Sequence, residues 1–328
     1  MPSLSQAEYD EWVAAHRSEL LANCYRLLGS VHDAEDALQE ALLGAWRGMA
    51  GFQGRSSVRT WLYTICTNAC MRLIARRPRR VLSPEHGPPR RPGDDLGEPV
   101  TAPIWLEPFP DAAGASASED ADPAVALLRR ESVELAFVAA LQHLPATQRA
   151  VLILREVLEF PAAEVARMLD TTPASVNSAL QRARAAVEQR VPARTQQAAL
   201  AALGERRERE LVGALVSAWE RADVDALLDL LTEDVRFTMP PLPAWFDGRA
   251  DVGRFIAERM FATPWRLFPV RANAQPAVAG YQRATPDAAF TIGALNVLTV
   301  RDGRIAALNG FLDPAWYGPF DLPEKFPG

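Results

Sequence analysis

Cysteine is scarce in this 328-residue chain. Three residues, Cys24, Cys66 and Cys70, cannot build a disulfide framework and suit a reduced cytosol. Cys66 and Cys70 share one helix face, but a metal needs more ligands and none stands nearby, so the pair reads as packing and no metal is expected. Long hydrophobic runs are missing as well. The apolar stretches are short and broken by charge, which leaves no readable membrane span. MPSLSQAEYDEW has neither a basic opening nor an apolar core, so no secretory signal is visible and a cytoplasmic location is expected. Lysine is almost absent: of 35 cationic residues only Lys325 is one. The four histidines (His16, His32, His86, His143) all lie in the first half of the chain.

What is present is size, apolar content and blocks of charge. The length favours two or three domains, and 48% hydrophobic residues can bury real cores. A net charge of −6 argues against a general basic coat, yet the average hides a pattern. From Arg55 to Arg80 there are seven arginines and no acid; between Arg26 and Arg47 there are four acids and no lysine or arginine. Adjacent blocks of opposite sign predict two surfaces for two different partners.

Along the chain, residues 7–77 read as helices. Ala34, Ala37, Leu38, Ala41, Leu42, Ala45 and Trp46 recur at helical spacing, and Ser56 or Ser57 can cap a second helix that Pro78 stops. Residues 78–124 hold ten prolines and nine acids with little periodicity, which predicts an extended, mostly disordered linker. Helices resume over 125–192. From about 205 the pattern becomes helices followed by strands. Val235, Phe237 and Met239 alternate, and Asp302-Gly303 predicts a hairpin between strands near 289–300 and 304–312. This is an α+β domain with a curved antiparallel sheet over 205–328.

Two segments carry chemistry. In PAAEVARMLDTTPASVNSALQRARA (161–185) a short helix, a tight break and a second helix burying Val176, Leu180, Ala183 and Val187 have helix-turn-helix geometry. Ser175, Asn177, Ser178, Gln181, Arg182 and Arg184 fall off the apolar stripe, and these residue types read base edges or grip phosphates. An ordinary helical hairpin with a solvated face is the bland alternative. In the arginine block, Asn68, Arg72 and Arg76 share a face behind the glycine-flexed loop 51–57. That suits a strand whose bases are unstacked and captured; a solvated basic helix with Phe52 in the core is the alternative.

Together the segments resemble the extracytoplasmic-function (ECF) group of σ70-type sigma factors, best in YRLLGSVHDAEDALQEALLGAWRG (25–48), SSVRTWLYTICTNACMRLIARR (56–77) and LQHLPATQRAVLILREVLEFPAAEVARMLDTTPASVNSALQRARA (141–185). The resemblance implies all-α σ2 (7–77) and σ4 (125–192) domains whose partners are core RNA polymerase, through its β′ clamp coiled coil and β flap, and promoter DNA. It implies that Asp33, Glu35, Asp36, Gln39, Glu40 and Trp46 dock on the polymerase. Phe52, Arg55, Ser56, Ser57, Arg59, Asn68, Arg72 and Arg76 would lie near the opened −10 strand, and the six polar residues of 175–184 would face the −35 duplex. The 78–124 linker would thread the polymerase interior.

LVSAWERADVDALLDLLTEDVRFTMPP (215–241), FDGRADVGRFI (246–256) and LNVLTVRDGRIAALNGFLDP (295–314) resemble the SnoaL-like, NTF2-like cone domains that end certain sigma factors. That implies regulation in cis by 205–328. A cavity there could be lined by Trp219, Phe237, Met239, Trp245, Phe246, Tyr281, Asn309, Phe311 and Asp313. Asp247 and Asp313 are the only candidate general bases, and neither has a histidine near it. The expectation is a sigma factor with no catalytic residue and no cofactor. The alternative is a cyclase- or isomerase-like, or small-molecule-sensing, domain fused to a DNA-binding module.

Overall fold

The structure, a computed structural model, describes residues 6–114 and 123–326. The chain divides into two compact units, Met1–Arg80 with Asp111–Ala193 and Val81–Pro110 with Arg194–Gly328.

Three helices open the first unit: α1 (Gln6–Leu28), α2 (Val31–Gly48) and α3 (Val58–Ile74). Ser30 Oγ accepts the Asp33 amide and Ser57 Oγ the Thr60 amide, both at 3.1 Å. Each accepts an N–H of the first turn that has no partner inside the helix. Leu20, Tyr25, Leu38, Leu62, Tyr63 and the three cysteines form the buried centre. The short α4 (Ser83–His86) belongs to the second unit, and α5 (Asp111–Gly114) and α6 (Pro123–Glu131) return to the first. There α7 (Leu135–Gln142), α8 (Ala146–Leu152), α9 (Ala162–Met168) and α10 (Pro173–Glu188) follow.

Two buried arginines tie the early helices to the late ones. Arg26 Nε donates to Ser132 Oγ at 2.8 Å; Arg149 donates to the Leu27 carbonyl and to Gln142 Oε1 at 2.7 Å. Burial lowers each to about 10, so both stay charged at neutral pH and depend on these acceptors.

In the second unit α11 (Gln196–Leu203), α12 (Glu205–Glu220), α13 (Val224–Asp229) and α14 (Arg249–Phe255) accompany a six-stranded sheet. Its strands are β1 (Leu231–Thr238), β2 (Trp245–Asp247), β3 (Trp265–Ala272), β4 (Gln275–Gln282), β5 (Thr291–Arg301) and β6 (Arg304–Phe311), ordered β2-β1-β6-β5-β4-β3. Asp302 and Gly303 have φ of +52° and +75°, the left-handed pair that the hairpin signal demands. The sheet is not antiparallel throughout, because β1 lies parallel to β6 and reaches it by a crossover. Trp219, Phe237, Phe246, Phe255, Trp265 and Leu298 pack its inner face.

The expected disorder of 78–124 is corrected for much of its length. Val81–Pro110 belongs to the second unit, with Trp105, Leu106 and Phe109 buried; residues 115–122 lie outside the described ones. Isolated apolar residues in a proline-rich stretch have no period, so no pattern announced this packing. No described helix is long and apolar enough to cross a membrane.

Candidate functional site

On α2 the buried stripe Ala34, Ala37, Leu38, Ala41 and Ala45 turns an acidic face outward. Asp36, Gln39, Glu40 and Trp46 are exposed and Glu35 is half-buried. Asp33 is not on this face: it is buried, paired with Arg80 and, at 3.2 Å, with Arg77. Its place in the first turn of α2 makes it a clasp between α2 and the chain after α3. The residue that sequence reasoning missed is Leu43, 55% exposed beside Trp46 at 52%. It broke the helical apolar stripe, and that departure was the available signal.

Around α3 the structure separates the eight expected DNA residues. Arg55, Asn68, Arg72 and Arg76 are exposed, and Ser56 is half-buried. Arg72 reaches back to Glu40 at 2.6 Å, an exposed pair that contributes little to stability. Ser57 caps α3, and the Phe52 ring lies 4.9 Å from Trp61. Arg59 is turned toward the later helices. It donates to the Leu158 carbonyl at 3.1 Å and lies 4.3 Å over the Phe160 ring. Beside it Thr60 Oγ1 donates to Glu164 Oε2 at 3.0 Å.

The helix-turn-helix is built by local chemistry. Asp170 takes φ +50° at the break, and Thr172 Oγ1 accepts the Ser175 amide at 3.2 Å to start α10 at Pro173. Val176, Leu180, Ala183 and Val187 are buried, while Ser175, Asn177, Ser178, Gln181, Arg182 and Arg184 are all exposed. Arg184 pairs with Glu156 at 2.5 Å.

The cavity candidates do not come together, because successive strand residues face opposite sides. Phe237 pairs with Phe246 toward the inner core, where Trp219 and Met239 also pack. Trp245 and Asn309 both pair with Thr238, whose side chain points to the opposite face. Tyr281 and Phe311 share that outer face, against Phe326 and Trp316. Trp219 Nε1 and Tyr281 Oη, on opposite sides, have no hydrogen-bond partner among the described residues. Asp247 is exposed and lies 3.3 Å from Arg236 Nε. Asp313 caps the turn after β6, accepting the Ala315 amide at 3.0 Å. Both carboxylates therefore serve turns or surface pairs, away from the aromatic interior.

The three cysteines lie in the helical core, fully buried. The hydrogen bond with Cys24 and then burial push the Cys66 thiol well above its ordinary value, so little thiolate forms. Native protein is expected to react with Ellman's reagent at least a hundredfold more slowly than guanidine-unfolded protein; rapid native labelling of one thiol would contradict this core.

Family comparisons agree with the order of these parts. Residues 12–80 match the Sigma-70 region 2 model, residues 134–187 the Sigma-70 region 4 model and residues 212–308 the SnoaL-like domain. The chain is 40% identical over 325 residues to the ECF RNA polymerase sigma factor SigG of Mycobacterium tuberculosis H37Rv, covering 98% of this chain and 85% of that one. It is 27% identical to SigJ of the same strain, over 95% of this chain and 94% of the relative. The crystal structure of Mycobacterium tuberculosis SigJ superposes with a TM-score of 0.59 at 24% identity, over 96% of this chain and 99% of that one, which places the fold.

Proposed function

This chain belongs to the ECF RNA polymerase sigma factors, and from that premise we propose how its surfaces divide the work. It is an alternative sigma factor that binds core RNA polymerase and directs promoter recognition, melting and initiation, with the SnoaL-like domain in a regulatory role. Residues 7–77 act as region 2, 125–192 as region 4 and 205–328 as the regulatory domain, and the protein works in the cytoplasm, where polymerase is found. Glu35, Asp36, Gln39, Glu40 and Trp46, joined by Leu43, dock on polymerase. Arg55, Ser56, Asn68, Arg72 and Arg76 serve the −10 strand.

The observation that carries the reading is the surface of α10, where every polar residue expected at the −35 duplex is exposed over a buried apolar stripe. The regulatory domain controls rather than catalyses; Asp247 and Asp313, the two candidate bases named from the sequence, stand outside its aromatic interior.

Run-off transcription with purified core polymerase tests this reading: promoter-dependent transcripts are expected with the full chain and none without it. Absence of transcripts across promoter libraries would sink it. Gln181→Ala with Arg182→Ala is expected to lower use of the preferred −35 sequence roughly tenfold, since one lost base contact costs about 1–3 kcal/mol. An unchanged −35 preference would remove α10 from that role.

A further inference from the structure

Two of the surfaces described above meet at a single ion pair. Glu40 stands on the outward face of α2, one turn after Asp36 and one turn before Leu43. Arg72 stands on α3 between Asn68 and Arg76, each one turn away on the same face. Arg72 Nη2 donates to Glu40 Oε1 at 2.6 Å. The side chains are 52% and 59% exposed, and one hydrogen bond joins them where an arginine fork can make two. Arg55 and Arg76, exposed like Arg72, carry no carboxylate partner among the described residues. Of the arginines assigned to the −10 strand, the one that carries a carboxylate takes it from the polymerase face.

We propose that Glu40 gates Arg72. In the free chain its carboxylate neutralises the guanidinium; polymerase, by engaging Glu40, releases Arg72 to grip a phosphate of the −10 strand. This rests on the sigma-factor reading above, which gives the two faces their partners. A partner that takes an acidic face presents cations to it, and those cations compete with Arg72 for Glu40. While the pair is intact, an approaching phosphate meets the Glu40 charge as well as the Arg72 charge, so net attraction is small. An exposed ion pair shifts an equilibrium by at most about fivefold, which lets this one exchange partners readily. The buried pair of Asp33 with Arg80 cannot act this way, since parting it strands charge away from water. Linkage makes the effect reciprocal: a strand that holds Arg72 leaves Glu40 to polymerase and tightens that contact by the same factor.

Fluorescence anisotropy with a labelled single-stranded DNA of mixed sequence tests this on the full chain, free and saturated with core polymerase. The free Glu40→Gln chain is expected to bind the strand about threefold to fivefold more tightly than the free parent. Its salt dependence should steepen by about 0.7, the value of one phosphate contact on a single strand. Asp36→Asn removes the same charge from the same face and leaves the pair intact, so it should stay near the parent. Adding Arg72→Ala to Glu40→Gln should abolish the gain. On polymerase, parent and Glu40→Gln should hold the strand alike. No gain in free Glu40→Gln, an equal gain in Asp36→Asn, or a gain that survives Arg72→Ala would overturn the gate. A gain undiminished on polymerase would overturn the release. If the parent fails to bind polymerase at all, the sigma-factor reading falls and the release with it, while the free-chain comparison still decides the pairing.

Discussion

Replacing Trp46 with alanine is expected to weaken capture of core RNA polymerase about thirtyfold. The indole is 52% exposed on α2, held by a 2.8 Å bond from Nε1 to Gln6 Oε1, with Leu43 exposed beside it. Around them stand Asp36, Gln39 and Glu40, so an apolar centre has an acidic rim. Truncating such a central aromatic anchor at an interface costs about 2 kcal/mol or more, which is about thirtyfold in affinity. The rim charges are expected to act mainly on association rate and salt dependence. Because the side chain is exposed, thermal unfolding should be unchanged, and a titration of labelled core polymerase reads the effect. Affinity within threefold of the parent would remove α2 from the interface. Asp33→Asn supplies the contrast: it removes the charge from a buried ion pair with Arg80, so it should destabilise the helical unit first.

Phe246→Ala is expected to destabilise the second unit by about 3–5 kcal/mol, the usual cost of emptying a packed phenylalanine site. Its ring is 1% exposed and stacks on Phe255 at 4.1 Å with 19° between the planes. Phe237 packs against the same Phe255 ring at 5.7 Å, so truncation strips contacts from an aromatic cluster. A residue bordering an open ligand cavity would lose far less, since one side of it would have no partners to lose. Denaturant unfolding followed by tryptophan fluorescence measures the difference. A loss below about 1 kcal/mol would restore Phe246 to a cavity wall.

The cone domain shows where pattern reading stops. The 301–304 hairpin was legible because Asp302-Gly303 is a local signal that needs two positive φ angles. The strand β4 was not, since QPAVAGYQ is buried on both faces and has no alternation to find. The cavity residues stand together in the sequence only through the resemblance to cone domains, which puts aromatic side chains, Met239, Asn309 and Asp313 around one cavity. Which side of the sheet each occupies is fixed by pairing register, and Phe246 and Trp245, adjacent in the chain, end on opposite faces.

The sequence by itself determined the helices and their outward chemistry. A stripe at i, i+3, i+4 and i+7 fixes both what α10 buries and what it exposes, and a capping serine or threonine fixes where a helix begins. Those are interactions over a few residues, so they are written locally. Only the tertiary structure decided that Asp33 is a clasp for Arg80, that Arg59 meets Phe160, and that a proline-rich stretch straps a sheet. Each depends on groups tens to more than a hundred residues apart, brought together by folding, and an ion pair, a ring contact or an indole-to-carbonyl hydrogen bond over such a separation leaves no local pattern in the chain.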